Sequence, residues 1–119
     1  ACSCFKNFDE YLNPNNVKVI FDKNKFALDF YRDPLVKNKK DCNLKNQFHH
    51  IGIYGYTKKL LDDFCNLPIS KLEMAFKLEQ LRALESNISL MIVNYKGKIY
   101  NGIDTPEELA LIRKHLENK

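Results

Sequence analysis

Apolar residues gather at four places along the chain in patterns that suit strands. Val17–Phe21 (V-K-V-I-F) and Phe26–Tyr31 (F-A-L-D-F-Y) flank Asp22-Lys23-Asn24-Lys25, so this stretch predicts a β-hairpin with Arg32 at its exit. His49–Tyr56 (H-H-I-G-I-Y-G-Y) and Ile88–Tyr95 (I-S-L-M-I-V-N-Y) predict two further strands. Helical spacing takes over between and after them. Lys58–Leu67 predicts a short helix closed by Pro68. Ser70-Lys71-Leu72-Glu73 is a capping box that opens a long helix over about 71–85. Thr105-Pro106-Glu107-Glu108 is a second box, with Pro at the first helical position, and opens a last helix to about Leu116. Strands alternating with helices predict an α/β layered fold with a mixed sheet. Residues 33–47, polar and lysine-bearing, read as a loop. Ala1–Phe5 carries no initiator Met and reads as the end of a strand, which leads us to expect further chain upstream.

Three of these elements present chemistry. On the strand 49–56, alternation puts His50, Gly52, Tyr54 and Tyr56 on one face and Ile51 and Ile53 on the other. The bare Gly52 between polar tips leaves room for a ligand, although a half-exposed strand with ordinary aromatic packing would look the same. On the long helix, Leu72, Phe76 and Ala83 form one apolar stripe, with Glu79 in its middle and Gln80 at its edge. Met74, Leu78 and Leu81 form a second stripe, so the helix is expected to be well buried. A carboxylate on such a face needs a partner. Glu79 either accepts hydrogen bonds from sugar hydroxyls beside Gln80 or pairs internally with Arg82. Asp104, just before the last helix, is either a Mg2+ ligand beside a phosphate or a surface aspartate helped by the helix dipole.

Length and composition narrow the alternatives. A chain of 119 residues fits one domain. The formal net charge of +4 raises nucleic-acid binding, but the densest basic run, Lys37, Lys39 and Lys40, is short and flanked by Asp33 and Asp41. Without a clustered basic face or a stacking platform, no nucleic-acid partner is expected. No apolar run reaches membrane-spanning length, so no membrane partner is expected either. Cys2 and Cys4 form a C-x-C pair with no matching second pair, which argues against a zinc site, and with no secretion signal in the sequence reduced thiols in a cytoplasmic protein are expected. No Gly-rich phosphate cradle and no nucleophile with its base occur anywhere in the chain.

Taken in order, H-I-G-I-Y-G-Y (50–56), K-L-E-Q-L-R-A-L-E (77–85) and N-G-I-D-T-P-E-E-L (101–109) resemble the C-terminal signatures of CMP-KDO synthetases, where KDO is 3-deoxy-manno-octulosonate. The preceding N-P-N-N-V-K-V-I-F-D (13–22) and F-Y-R (30–32) are similar to the segment before them in that family. The resemblance covers nearly the whole chain. It implies the C-terminal half of a nucleotide-diphospho-sugar-transferase-like fold, here a single domain over 1–119 that binds the sugar acid and dimerises. It further implies that His50, Tyr54, Glu79 and Gln80 hold KDO, that Arg32 lies near the sugar carboxylate, and that Asp104 is one of two aspartates on catalytic Mg2+. In the family the sugar's anomeric hydroxyl attacks the α-phosphate of CTP and pyrophosphate leaves, feeding lipopolysaccharide or capsule assembly.

The chain also departs from the family. The CTP-binding half, with its P-A-R start and the other metal aspartate, is absent. Tyr31 stands for the usual serine of F-S-R, Leu35-Val36 for the usual I-P, and Phe76 for a common glutamate. The expectation is therefore a cytidylyltransferase portion that supplies the sugar-acid site and one metal aspartate, is inactive alone, and forms a homodimer. The alternative is a non-catalytic sugar-acid-binding or dimerisation module.

Overall fold

A computed structural model describes residues 1–34, 47–97, 103 and 106–117, the side chain of Leu111 excepted. The elements run β1 (Cys2–Cys4), α1 (Phe8–Leu12), β2 (Lys18–Phe21), β3 (Ala27–Tyr31), β4 (Phe48–His50), α2 (Lys58–Cys65), α3 (Lys71–Phe76), α4 (Gln80–Glu85) and α5 (Pro106–Glu117). The layered α/β architecture is the expected one. The four named strands pair antiparallel in the order β1-β4-β2-β3, and a parallel contact enters as the bridge between Cys2 and Asn94.

The hairpin forms where the pattern placed it. Asp22 closes its turn by accepting from the Asn24 and Phe26 amides, each at 2.9 Å, and Lys25 takes the left-handed conformation at φ 70°. Register then sorts the side chains. Val19 lies opposite both Phe30 and Phe48, and Cys2 opposite His50, so these residues share one face. Leu78, Leu81 and Ile92 cover that face and complete the core with Cys2, Val19, Ala27 and Phe30. Lys18 lies opposite Tyr31 and His49, and His49 opposite Ser3, which puts these four on the other face, under Tyr11 of α1. The helix α1 had no counterpart in the apolar pattern. Its signal is the cap: the Asn7 side chain accepts from the Glu10 amide at 2.8 Å.

Two elements differ from expectation. The strand foreseen over 49–56 ends at His50, and residues 51–56 run on outside the ladder. The segment 88–95 likewise forms isolated bridges, with Cys2 N donating to the Val93 carbonyl at 2.9 Å and Ala27 N to the Leu90 carbonyl at 2.8 Å. Ile53, Met91 and Val93 are 70%, 66% and 64% exposed, so one side of these stretches packs on little among the described residues, while Ile92 and Leu90 turn to the core. The long helix also breaks. Ser70 and Glu73 form the expected capping box, but Lys77 ends α3 in the left-handed conformation at φ 52°, and α4 restarts at Gln80. The two stripes drawn at a constant helical pitch therefore do not continue across the break. Leu78, Leu81 and Ala83 are buried, whereas Leu72 and Met74 stay exposed. The proposed cap Thr105 lies outside the described residues; the helix it was to open, α5, is present.

Candidate sugar-acid site

The break between α3 and α4 makes a corner, and a bidentate ion pair holds it. Arg82 Nε donates to Glu73 Oε2 at 2.7 Å and Arg82 Nη2 to Glu73 Oε1 at 2.5 Å. The Arg82 guanidinium also lies 5.0 Å from the Phe64 ring centroid, which ties the corner to α2. The hydrogen bonds from Arg82 keep the Glu73 carboxyl below its ordinary range. This pairing takes the Arg82 hydrogen bonds that were one of the two alternatives for Glu79. Its internal partner was to be Arg82, but Glu73 takes that guanidinium, and the exposed Glu79 carboxylate has no ion pair among the described residues.

Glu79 and Gln80 face a cavity of about 380 Å³ that Arg32, His50 and Tyr54 also line. Five residues singled out along the chain thus meet in one pocket, from β3's exit, β4, the segment after it and the α3–α4 corner. The sixth, Asp104, lies outside the described residues. Gly52 lines the pocket too, and a Cβ built there meets nothing within 4 Å. Packing within the chain therefore does not require a glycine at this position. Tyr56, placed on the same face by alternation, lines the pocket, as do Lys77 and Phe64. Lys77 was missed because an unbroken helix gives no reason to single it out.

The wall is aromatic. His50 meets the Phe30 ring edge-on at 5.3 Å and the Tyr54 ring at 5.5 Å, and Tyr54, Tyr56 and Phe64 continue the row at 6.1 and 6.2 Å. His50 Nε2 and the Tyr54 hydroxyl share a hydrogen bond of 2.8 Å. Burial, then the amino terminus and His49, push the His50 pKa down to about 4, so the ring is neutral at pH 7. Burial, with Tyr56 and Glu79 behind it, pushes Tyr54 well above the ordinary phenol range. A neutral imidazole and a neutral phenol leave donor and acceptor capacity facing the cavity without charge. Arg32 and Lys77 supply positive charge and Glu79 negative charge to the same space. The arrangement suits a polyhydroxylated anion.

Beside this pocket lies a larger trough of about 560 Å³, sharing His50, Tyr54 and Tyr56 and extending over Ile53, Met91 and Val93. Among the described residues no group of three or more His, Cys, Asp or Glu could hold a metal ion. No helix there is long and apolar enough to cross a membrane.

Residues 3–94 match the family described as "Cytidylyltransferase". The chain belongs to that family. This cytidylyltransferase chain is 45% identical over 113 residues to a 3-deoxy-manno-octulosonate cytidylyltransferase of Thermodesulfovibrio yellowstonii, covering 91% of the chain and 44% of the relative. It is 43% identical to the protein of that name from Nitratiruptor sp., covering 93% and 46%. A solved structure of CMP:2-keto-3-deoxy-manno-octonic acid synthetase complexed with CTP superposes with a TM-score of 0.83 at 29% identity, over 98% of the chain and 47% of that structure. The chain thus spans under half the length of these relatives.

Proposed function

We propose that this chain supplies the sugar-acid side of a cytidylyltransferase that transfers CMP from CTP to KDO and releases pyrophosphate. The observation that carries the reading is the convergence of Arg32, His50, Tyr54, Glu79 and Gln80 on one cavity. In this reading Arg32 meets the sugar carboxylate, and Glu79 accepts from hydroxyls that Gln80 and the His50–Tyr54 pair also engage. These contacts hold the sugar so that its anomeric hydroxyl points out of the pocket toward the nucleotide, which converts a bimolecular encounter into a positioned one. The nucleotide site belongs to the remainder of a relative-length protein, since this chain carries no Gly-rich phosphate cradle. The relative solved with CTP is more than twice as long as this chain.

Mg2+ is proposed through Asp104 alone, from the resemblance. The described residues offer it no set of three or more ligands. We also propose a homodimer formed through the β2–β3 hairpin, where β3 ends the order of the named strands, its start at Ala27 bonded to Leu90, and Leu28 is 62% exposed. A single monomeric species in sedimentation at micromolar concentration would sink that part.

A second reading keeps the pocket and drops the chemistry: a sugar-acid-binding or dimerisation module without transferase activity. The missing cradle favours it for the chain in isolation. Calorimetry with KDO, beside pyrophosphate release from CTP, KDO and Mg2+ with an Asp104→Ala control, separates the readings. KDO binding without pyrophosphate release by the chain alone fits both readings, and release that appears once the CTP-binding half of a relative is added marks the sugar-binding part of a larger enzyme, whereas continued silence marks the binding module. Release lost in the control means the chain completes a nucleotide site. Absence of KDO binding rejects the pocket's assignment.

A further inference from the structure

β3 ends at Tyr31, so Arg32 is the first residue beyond the ladder. A backbone that has left its sheet lacks the hydrogen bonds that would fix the direction of its side chain. Here a buried cation takes over. Lys18 Nζ donates to the carbonyl of Arg32 at 2.7 Å and to that of Asn13 at 2.7 Å. Lys18 is 0% exposed, an unusual place for an ammonium. An apolar side chain would fill the same space without the cost of desolvating a charge. What the ammonium adds is a hold on two carbonyls, one of them belonging to a pocket residue.

The two sides of the sheet explain how that hold acts. Lys18 lies opposite Tyr31 and His49 on the face under α1. Alternation along β3 turns Arg32 to the opposite face, with Phe30 and His50, where it lines the cavity. We propose that Lys18 is a positioning residue for the anion-binding side of the pocket, fixing the Arg32 carbonyl from behind the sheet and thereby aiming the guanidinium. Lys18 never touches the cavity. The groups around its ammonium are the Tyr11 ring at 5.7 Å on α1, Arg32 and Asp33 at the exit of β3, and His49 on β4. Burial lowers the Lys18 pKa to about 8, within reach of titration, while His49 is held below its ordinary value and is neutral in that range.

The first test needs no ligand. In labelled protein the Arg32 carbonyl carbon shift is expected to titrate with a midpoint near pH 8, as Lys18 loses its proton. The step should vanish in Lys18→Met. A flat Arg32 carbonyl through that range overturns the proposal. The second test rests on the sugar-acid reading above. With KDO as the probe, Lys18→Met is expected to weaken binding about tenfold, the scale of a charge-assisted contact. Because Lys18 acts through Arg32, Lys18→Met added to Arg32→Ala should cost nothing beyond Arg32→Ala alone. Additive losses overturn the proposal. If the unaltered chain does not bind KDO, the sugar-acid reading fails while the carbonyl titration still decides the link between Lys18 and Arg32.

Discussion

The two faces of the sheet bury polar groups in opposite ways. Under α1, polar atoms find each other: Tyr31 donates to Gln47 Oε1, the Tyr11 and Tyr31 hydroxyls lie 3.4 Å apart, and Lys18 serves two carbonyls. Among the described residues, Ser3 Oγ alone is buried there without a partner. On the opposite face, the core residues Val19 and Phe30 give way to a cavity where Glu79 has no ion pair among the described residues and His50 and Tyr54 share one hydrogen bond. Buried polar groups are normally satisfied within the chain. The closed face obeys that rule except at Ser3, and the open face presents the exposed Glu79 carboxylate and the His50–Tyr54 pair to the cavity, where a ligand can meet them. Polar residues at a strand's end are therefore not a site by themselves; the site is where their partners are missing.

Acid should expose this contrast most strongly. His50 is depressed to about 4 against an ordinary 6.5, so the folded state binds fewer protons than the unfolded one between these values. Its contribution is fully present above pH 6.5 and is lost as pH falls toward 4, on the order of 2–3 kcal/mol. Urea unfolding across this range should show the loss, and His50→Gln should flatten it. An unchanged slope in the variant would place the effect elsewhere.

Next comes Glu79→Gln. Loss of a charged acceptor is expected to weaken KDO binding about tenfold to a hundredfold, with the melting temperature nearly unchanged. A large drop in melting temperature with unchanged binding would make Glu79 a packing residue and erase the distinction between the faces.

Tyr31→Phe probes the closed face. It leaves Gln47 without its donor and should cost about 1–2 kcal/mol of stability, with KDO affinity unaltered. The smallest effect is expected from Gly52→Ala. A Cβ there meets no atom of the chain, so stability should hold within about 0.5 kcal/mol while KDO binding weakens by a few fold. Equal binding by Gly52→Ala would show that the ligand stays away from this backbone.

Much of this was legible from local chemistry. The hairpin follows from alternation around Asp22, and the start of α3 from Ser70 and Glu73, because such signals act over a few residues. His50 and Tyr54 could be put on a common face for the same reason. The extent of the later strands was not legible. Ile51–Tyr56 and Ile88–Tyr95 have strand composition, but a strand also needs a neighbour to pair with, and composition does not say whether one is there. The helix break was hidden as well, since no Gly or Pro marks Lys77.

The order of residues along the chain determined the hairpin, the caps and the set of candidate side chains, each a matter of neighbours in sequence. Tertiary structure decided which of them act together. It gave Arg82 to Glu73 and left Glu79 open, because those carboxylates compete for one guanidinium only after α3 and α4 fold against each other. It buried Lys18 against the carbonyl of Arg32, 14 positions away, because antiparallel pairing brings Tyr31 opposite Lys18. Pairing across strands and competition among distant partners depend on where the chain returns in space, and no local pattern carries that information.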